Sequence, residues 1–363
     1  MRSCIAALLA LIALPAALPA QTSTPLTPHP RPGSGPLIVT NYDTPAETPA
    51  PSAQKQAATE DWTSISLPKG GLTAMTGKGV SLSKVDLPGC TRELVRMQWR
   101  INDPIDVYVI RPNGPGKAHV ALFLYSYIHD TDIFRQDRWC DRAKQNNYAV
   151  VGFASALSLS RLHSPRPMKE WFVSELQEAL SSSAHDVQMI LNSLETRDDL
   201  DAQHVAMFGE SSGGAVAILA AAADSRITAL DLMDPWGDWP DFLKGSRQIP
   251  EDERAAYTTP EFIKKVAGLD PVDYLPRLKD RALRIQQVMD DPIMPRSAQD
   301  KLAAAAPGEN IVMRYPDRAA EAKALGANGI TGWLGDQFQA RNAANSPQLQ
   351  PSGEGALHAS DPH

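Results

Sequence analysis

The stretch HVAMFGESSGGAVAILAAAA, residues 204–223, narrows the possible folds more than any other part of the chain. A short apolar run suited to a buried strand meets Gly209-Glu210-Ser211-Ser212-Gly213, and an alanine-rich apolar run follows at once. A G-x-S-x-G between a strand and a helix is a sharp turn that leaves the serine hydroxyl exposed above the sheet, with flanking glycines that avoid side-chain clashes. The five residues alone would also fit a tight glycine turn carrying an incidental serine. The strand before them and the helix after them weigh against that alternative.

The rest of the chain alternates in the same way. ELVRMQWRI and IDVYVIRP read as strands with NDP between them as a turn, and HVALFLYSY and YAVVGFAS read as strands buried on both faces. DIFRQDRWCDRAKQNN and MKEWFVSELQEALSSSAHDVQMILNSLE carry helical spacing. ITALDLM, LRIQQVMD and NIVMRY are further strands, and ITGWLGDQFQAR is a closing helix. Strands alternating with helices predict an α/β fold whose mostly parallel central sheet is covered on both faces. Between residues 235 and 278 the pattern breaks into short helical pieces, as a small helical lid insertion would.

Outside residues 61–343 the composition changes. Residues 1–20 combine Arg2, an apolar stretch and small residues before Gln21, which predicts a secretory signal peptide and a secreted or periplasmic protein. The apolar stretch is short for a membrane span. Residues 21–60, rich in Pro, Thr and Ser, and the tail 344–363 lack an apolar period and are expected to be disordered or extended. Cys90 and Cys140 would remain after signal removal; in an oxidising compartment they either pair or stay as two buried thiols. The formal net charge of −7 and the lack of a basic cluster argue against nucleic-acid binding.

With its elbow, the chain resembles the α/β-hydrolase family over roughly residues 95–343. DDLDAQHVAMFGESSGG is similar to the nucleophile segment of bacterial esterases, dienelactone-hydrolase-like proteins and prolyl-oligopeptidase relatives. LDPVDYLPRLKDRALRIQQVMDDPIMP resembles their acid-bearing strand and loop. The resemblance implies an α/β-hydrolase fold, Ser211 as nucleophile and Asp291 as the acid of a triad. Asp290 matches less well, and Asp234 stands where some members carry the acid instead; a helix cap or a turn is the plainer role for both. It also implies an oxyanion hole built from the N–H of Ser212 and that of Ser126 or Tyr127, although YSYIHDTD lacks the glycine many members have there.

The family's base is a histidine in the loop after the last strand, because serine needs a neighbouring proton acceptor. The corresponding NIVMRYPDRAAEAKALGANGITGWLGDQ contains none; Asp317, Arg318, Ala319 and Ala320 stand where it belongs. Three readings stay open: the base is lost, His129 or His163 replaces it, or the tail brings back His358. His363 is the other histidine beyond Asp291, and the plain role of His129 is a surface loop histidine. No metal-ligand spacing, C-x-x-C or nucleotide-binding loop is present, so no cofactor and no metal are expected. The expected partner is a small-molecule ester or lactone, cleaved by a secreted serine hydrolase; the alternative is a non-catalytic binding protein on the same scaffold. Neither the substrate's identity nor the oligomeric state is specified by the sequence.

Overall fold

The buried runs of the sequence fall in the middle of one nine-stranded sheet. The computed structural model describes residues 60–67, 79–100, 103–158, 161, 168–308 and 311–345; the expected leader, the linker up to residue 59, His163 and the tail from 346 lie outside the described residues. The strands are β1 (Val80–Leu87), β2 (Cys90–Arg100), β3 (Asp103–Pro112), β4 (Ala118–Leu124), β5 (Tyr148–Phe153), β6 (Leu200–Glu210), β7 (Ile227–Met233), β8 (Ala282–Val288) and β9 (Ile311–Tyr315). Their order is β1-β2-β3-β5-β4-β6-β7-β8-β9. β1, β2 and β3 pair antiparallel, and β3 also joins β5 antiparallel. From β5 to β9 every pairing is parallel, as the strand–helix alternation predicts.

The helices are α1 (Arg138–Asn146), α2 (Met168–Glu195), α3 (Ser212–Ala223), α4 (Trp239–Gly245), α5 (Arg254–Tyr257), α6 (Pro260–Ala267), α7 (Pro271–Tyr274), α8 (Arg296–Ala305), α9 (Arg318–Leu325) and α10 (Gly329–Asn345). Alternation of side chains across the sheet splits the core in two. Val120, Leu122, Val205 and Met207 pack with residues of α2 and α3, while Ala121, Phe123, Ala206 and Phe208 pack with residues of α1 and α10. The mixed α/β sheet, mostly parallel and wrapped by helices, is the architecture the sequence implies.

Local details differ from expectation. The helix read over 132–147 is broken: a 3-10 turn, Thr131–Arg135, is capped by the Asp130 carboxylate, and Gln136 is extended before α1 begins. Cys90 at the start of β2 and Cys140 in α1 form a disulfide, their Cα atoms 5.7 Å apart. Four short helices, α4 to α7, fill the segment between β7 and β8. No helix among the described residues is long and apolar enough to cross a membrane.

A buried ion network ties residues 60–67 to the body. Arg100 meets Glu60 at 2.6 Å, Asp186 at 2.6 Å and Asp103 at 3.1 Å, while Arg161 meets Asp103 and Asp186 at 2.6 Å each. His185 Nδ1 lies 2.6 Å from Glu60, and the Trp99 indole N–H donates to Asp186. Ile65 and Leu67 are buried beside this network, and Gln188 on α2 donates to the Ile65 carbonyl.

Candidate active site

The site starts from a strained residue. Ser211, between β6 and α3, has φ 53° and ψ −117°, a conformation that costs a non-glycine residue about 1–3 kcal/mol. Its backbone is held from several sides: the N–H donates to Met233 O at 2.9 Å, and its carbonyl accepts from Gly214 and Trp236, both at 3.0 Å. The flanking glycines do not themselves carry positive φ. Close approach demands them instead: a Cβ on Gly209 would stand 2.7 Å from Gly213 O, and one on Gly213 would stand 2.2 Å from Leu124 O. Beyond Ser211, the N–H groups of Ser212 and Gly213 precede the first carbonyl acceptor of α3, so the turn favours negative charge beside the hydroxyl.

The loop after β4 lies against this turn. Tyr127 N–H donates to Ser212 Oγ at 2.9 Å, and Ser126 O accepts from His129 N–H. The Tyr127 N–H expected in an oxyanion hole is therefore engaged by a hydroxyl, while Ser126 N–H is directed at the Glu210 carboxylate. Tyr127 also packs its ring 5.8 Å from that of Trp236, and its hydroxyl meets Gln248 of the segment between β7 and β8.

His129 is on the same loop, its ring edge-on to Tyr125 with centroids 5.8 Å apart. Among the described residues no hydrogen bond joins His129, or any other imidazole, to the Ser211 hydroxyl. Burial pushes the Glu210 carboxyl up, against smaller downward pulls from His129 and Arg318.

The acids converge from three chain segments. Asp234, directly after β7, has φ 44° and accepts the Val288 N–H at 2.7 Å. Asp291, after β8, accepts the Ile293 N–H at 2.8 Å. Asp290 is exposed, and its charge adds to the upward push on Asp291. Between the two buried acids stands Arg318, the first residue of α9: its Nη1 is 2.6 Å from Asp234 and 2.7 Å from Glu321, and its Nη2 is 3.8 Å from Asp291. The Asp317 carboxylate caps α9 by accepting the Ala320 N–H. This cap starts a helix where the resemblance implies a loop with the base.

Exposure divides the cluster sharply. The side chains of Asp234, Asp291 and Glu321 are 2–3% exposed, against 55% for Arg318. Burial pushes Asp234 up to about 7 despite the Val288 N–H and Arg318, and it also raises Asp291 and Glu321. Burial disfavours the Arg318 cation, but Asp234 and Glu321 outweigh it and hold the guanidinium above its usual range. A guanidinium so held is no proton acceptor near neutral pH. The two acids implied by sequence are brought together, with an arginine between them. Sequence reasoning named Arg318 as one of four residues standing in the base's place, and it missed Glu321 altogether. A carboxylate three residues beyond Arg318 in a helical register was the available signal.

The same architecture recurs in solved structures. Acetyl xylan esterase 1 from Thermoanaerobacterium sp. JW/SL YS485 aligns with a TM-score of 0.51 at 13% identity, covering 74% of this chain and 99% of that one. The acetyl xylan esterase of Paenibacillus sp. R4 gives 0.54 at 16% identity, over 68% of this chain and 85% of the other. Pyrococcus horikoshii acylaminoacyl peptidase gives 0.53 at 12% identity, over 74% of this chain but 44% of that longer one. No family model and no curated protein sequence matches. These likenesses show the fold: a mostly parallel α/β-hydrolase sheet with its helices.

Proposed function

We propose that this chain is an exported serine hydrolase of small carboxylic esters or lactones, with Ser211 as nucleophile and its rate limited by the missing imidazole. One observation carries the reading: Ser211 is held at positive φ on the strand-to-helix turn, directly before the first N–H groups of α3. A strain of this kind, fixed by backbone hydrogen bonds from β7 and α3, serves to present a hydroxyl. The esterases among the structural relatives agree with an ester substrate.

In this reaction the Ser211 oxygen bonds to the ester carbon as its proton passes to water or a nearby group. The Ser212 N–H receives the developing oxyanion. Collapse expels the alkoxide, and water then releases the acid. With no imidazole hydrogen-bonded to Ser211 among the described residues, the expected rate is that of a triad lacking one member, roughly 10³–10⁴-fold above water. The test is labelling with a fluorophosphonate probe together with turnover of short-chain p-nitrophenyl esters. Label on Ser211, and turnover lost in Ser211→Ala, supports the proposal; absence of label in folded protein overturns it. If His129 acts as base, His129→Ala removes the turnover as well.

A second reading, a non-catalytic binding protein, is favoured by Arg318, which fills the base's place with a group unable to accept a proton. No ester turnover above background in the folded wild type would select it. Export itself is tested by the mass of the extracellular or periplasmic protein, expected to begin near Gln21.

A further inference from the structure

The three carboxyls around Arg318 belong to elements that approach from different parts of the chain, yet all three are almost fully buried. The cation that balances them is more than half exposed, reaching in from the surface at the start of α9. The acids form a fixed floor, and the guanidinium is a removable cover. A second observation points to incomplete occupancy. Glu321 Oε2 meets Arg318, but its twin oxygen Oε1 is buried with no hydrogen-bond partner. A buried carboxylate oxygen without a donor is costly. One guanidinium thus leaves the acceptors of this floor unfilled.

We propose that Asp234, Asp291 and Glu321 form a binding pocket for a planar nitrogen cation, guanidinium or imidazolium, and that Arg318 occupies it as a tethered plug. The bound head shows how three acids can share one delocalised cation: Arg318 Nη1 reaches Asp234 at 2.6 Å and Glu321 at 2.7 Å, while Nη2 stands 3.8 Å from Asp291. Planar groups with several N–H donors match such a set, whereas an ammonium offers only a point charge. A free ligand in the wild type competes with a plug whose effective concentration is high, so binding is masked there.

The experiment opens the pocket with Arg318→Ala and measures thermal unfolding against millimolar methylguanidinium and, separately, imidazole. At roughly ten times Kd, either probe should raise the Tm of Arg318→Ala by about 2–4 °C, saturably. The wild type and Arg318→Lys should not respond. Adding Glu321→Gln to Arg318→Ala should weaken the response at least tenfold. If Arg318→Ala does not fold, Arg318→Gln, which cannot supply a cation, carries the same test. No saturable rise in either opened variant, or an equal rise in the wild type, overturns the proposal.

A turnover arm rests on the hydrolase reading. The neutral fraction of the bound imidazole, one N–H held by the acids, would take the Ser211 proton on its other nitrogen as the Oγ–carbon bond forms, and return it to the alkoxide as the ester bond breaks. Turnover should then rise at least tenfold with imidazole and not with methylguanidinium, and the rise should vanish with Ser211→Ala. Binding without this rise leaves the pocket standing and counts against the hydrolase; no binding removes the pocket and leaves Ser211 labelling to decide the hydrolase separately.

Discussion

Two buried ion clusters in this protein share their chemistry and differ in balance. In the network near residues 60–67, Arg100 and Arg161 serve Glu60, Asp103 and Asp186, with His185 and Trp99 adding further contacts. Burial pushes Glu60 up, but hydrogen bonds from His185 and Arg100 prevail and hold it at about 2; Asp103 is lowered by Arg161 and Arg100 in the same way. Around Arg318 a single cation serves Asp234, Asp291 and Glu321, and burial prevails instead. Where donors are sufficient, a buried charge cluster locks elements together. Where they are short, burial prevails over pairing and the carboxyls hold their protons more tightly.

The comparison breaks most visibly if the balanced network loses its central acid. Asp186→Ala takes a partner from both Arg100 and Arg161 and leaves the buried Trp99 indole N–H without its acceptor, and urea unfolding should show a loss of about 3–5 kcal/mol. A loss under 1 kcal/mol would mean that the network is dispensable. The next effect is on chemistry. Arg318→His replaces the plug by an imidazole within reach of Asp234 and Asp291, and ester turnover should rise roughly 100-fold. Asp291→Asn or Asp234→Asn in that background identifies the acid by which of them erases the gain.

The two clusters should also respond oppositely to pH. Asp234 has a folded pKa raised from 3.8 to about 7, so the folded protein keeps a proton that the unfolded chain releases. Its contribution is whole below about pH 4 and is lost as pH rises through about 7. Asp234→Asn should therefore flatten the fall in stability between pH 4 and 7 by about 3 kcal/mol, read from denaturant midpoints.

Glu60 has the reverse sign, since its pKa falls from 4.5 to about 2: its contribution is present above pH 4.5 and is lost as pH falls through about 2. Glu60→Gln should cost about 1 kcal/mol near neutral pH and nothing near pH 2. A parallel loss at both pH values would show that the effect is packing and not charge.

The elbow was legible because its signals are local: strand, glycines, serine and helix are contiguous in 204–223, and β6 and α3 form there. The central strands were legible for the same reason, since burial on both faces leaves an unbroken apolar run. β1 was not foreseen, because nearly all of VSLSKVDL is exposed and no core pattern marks it. The helical period over 132–147 concealed a break at Gln136 that the Asp130 cap and the following extended residue produce. At the site, the lack of a histidine after RYP could be read from the sequence, but not that Arg318 would stand between Asp234 and Asp291.

By itself, then, the amino-acid sequence determined the alternating α/β order, the serine on its turn and the lack of a histidine after RYP, all properties of contiguous residues whose backbone preferences and apolar periods act within a few positions. Tertiary structure decided the rest. It joined Cys90 to Cys140 across 50 residues, and it set Arg318 against an aspartate 84 residues earlier. It also engaged the Tyr127 N–H with Ser212 Oγ. Such contacts depend on where packed elements bring their ends, and on how burial then sets the charge of each carboxyl. Residue order alone does not carry that distance.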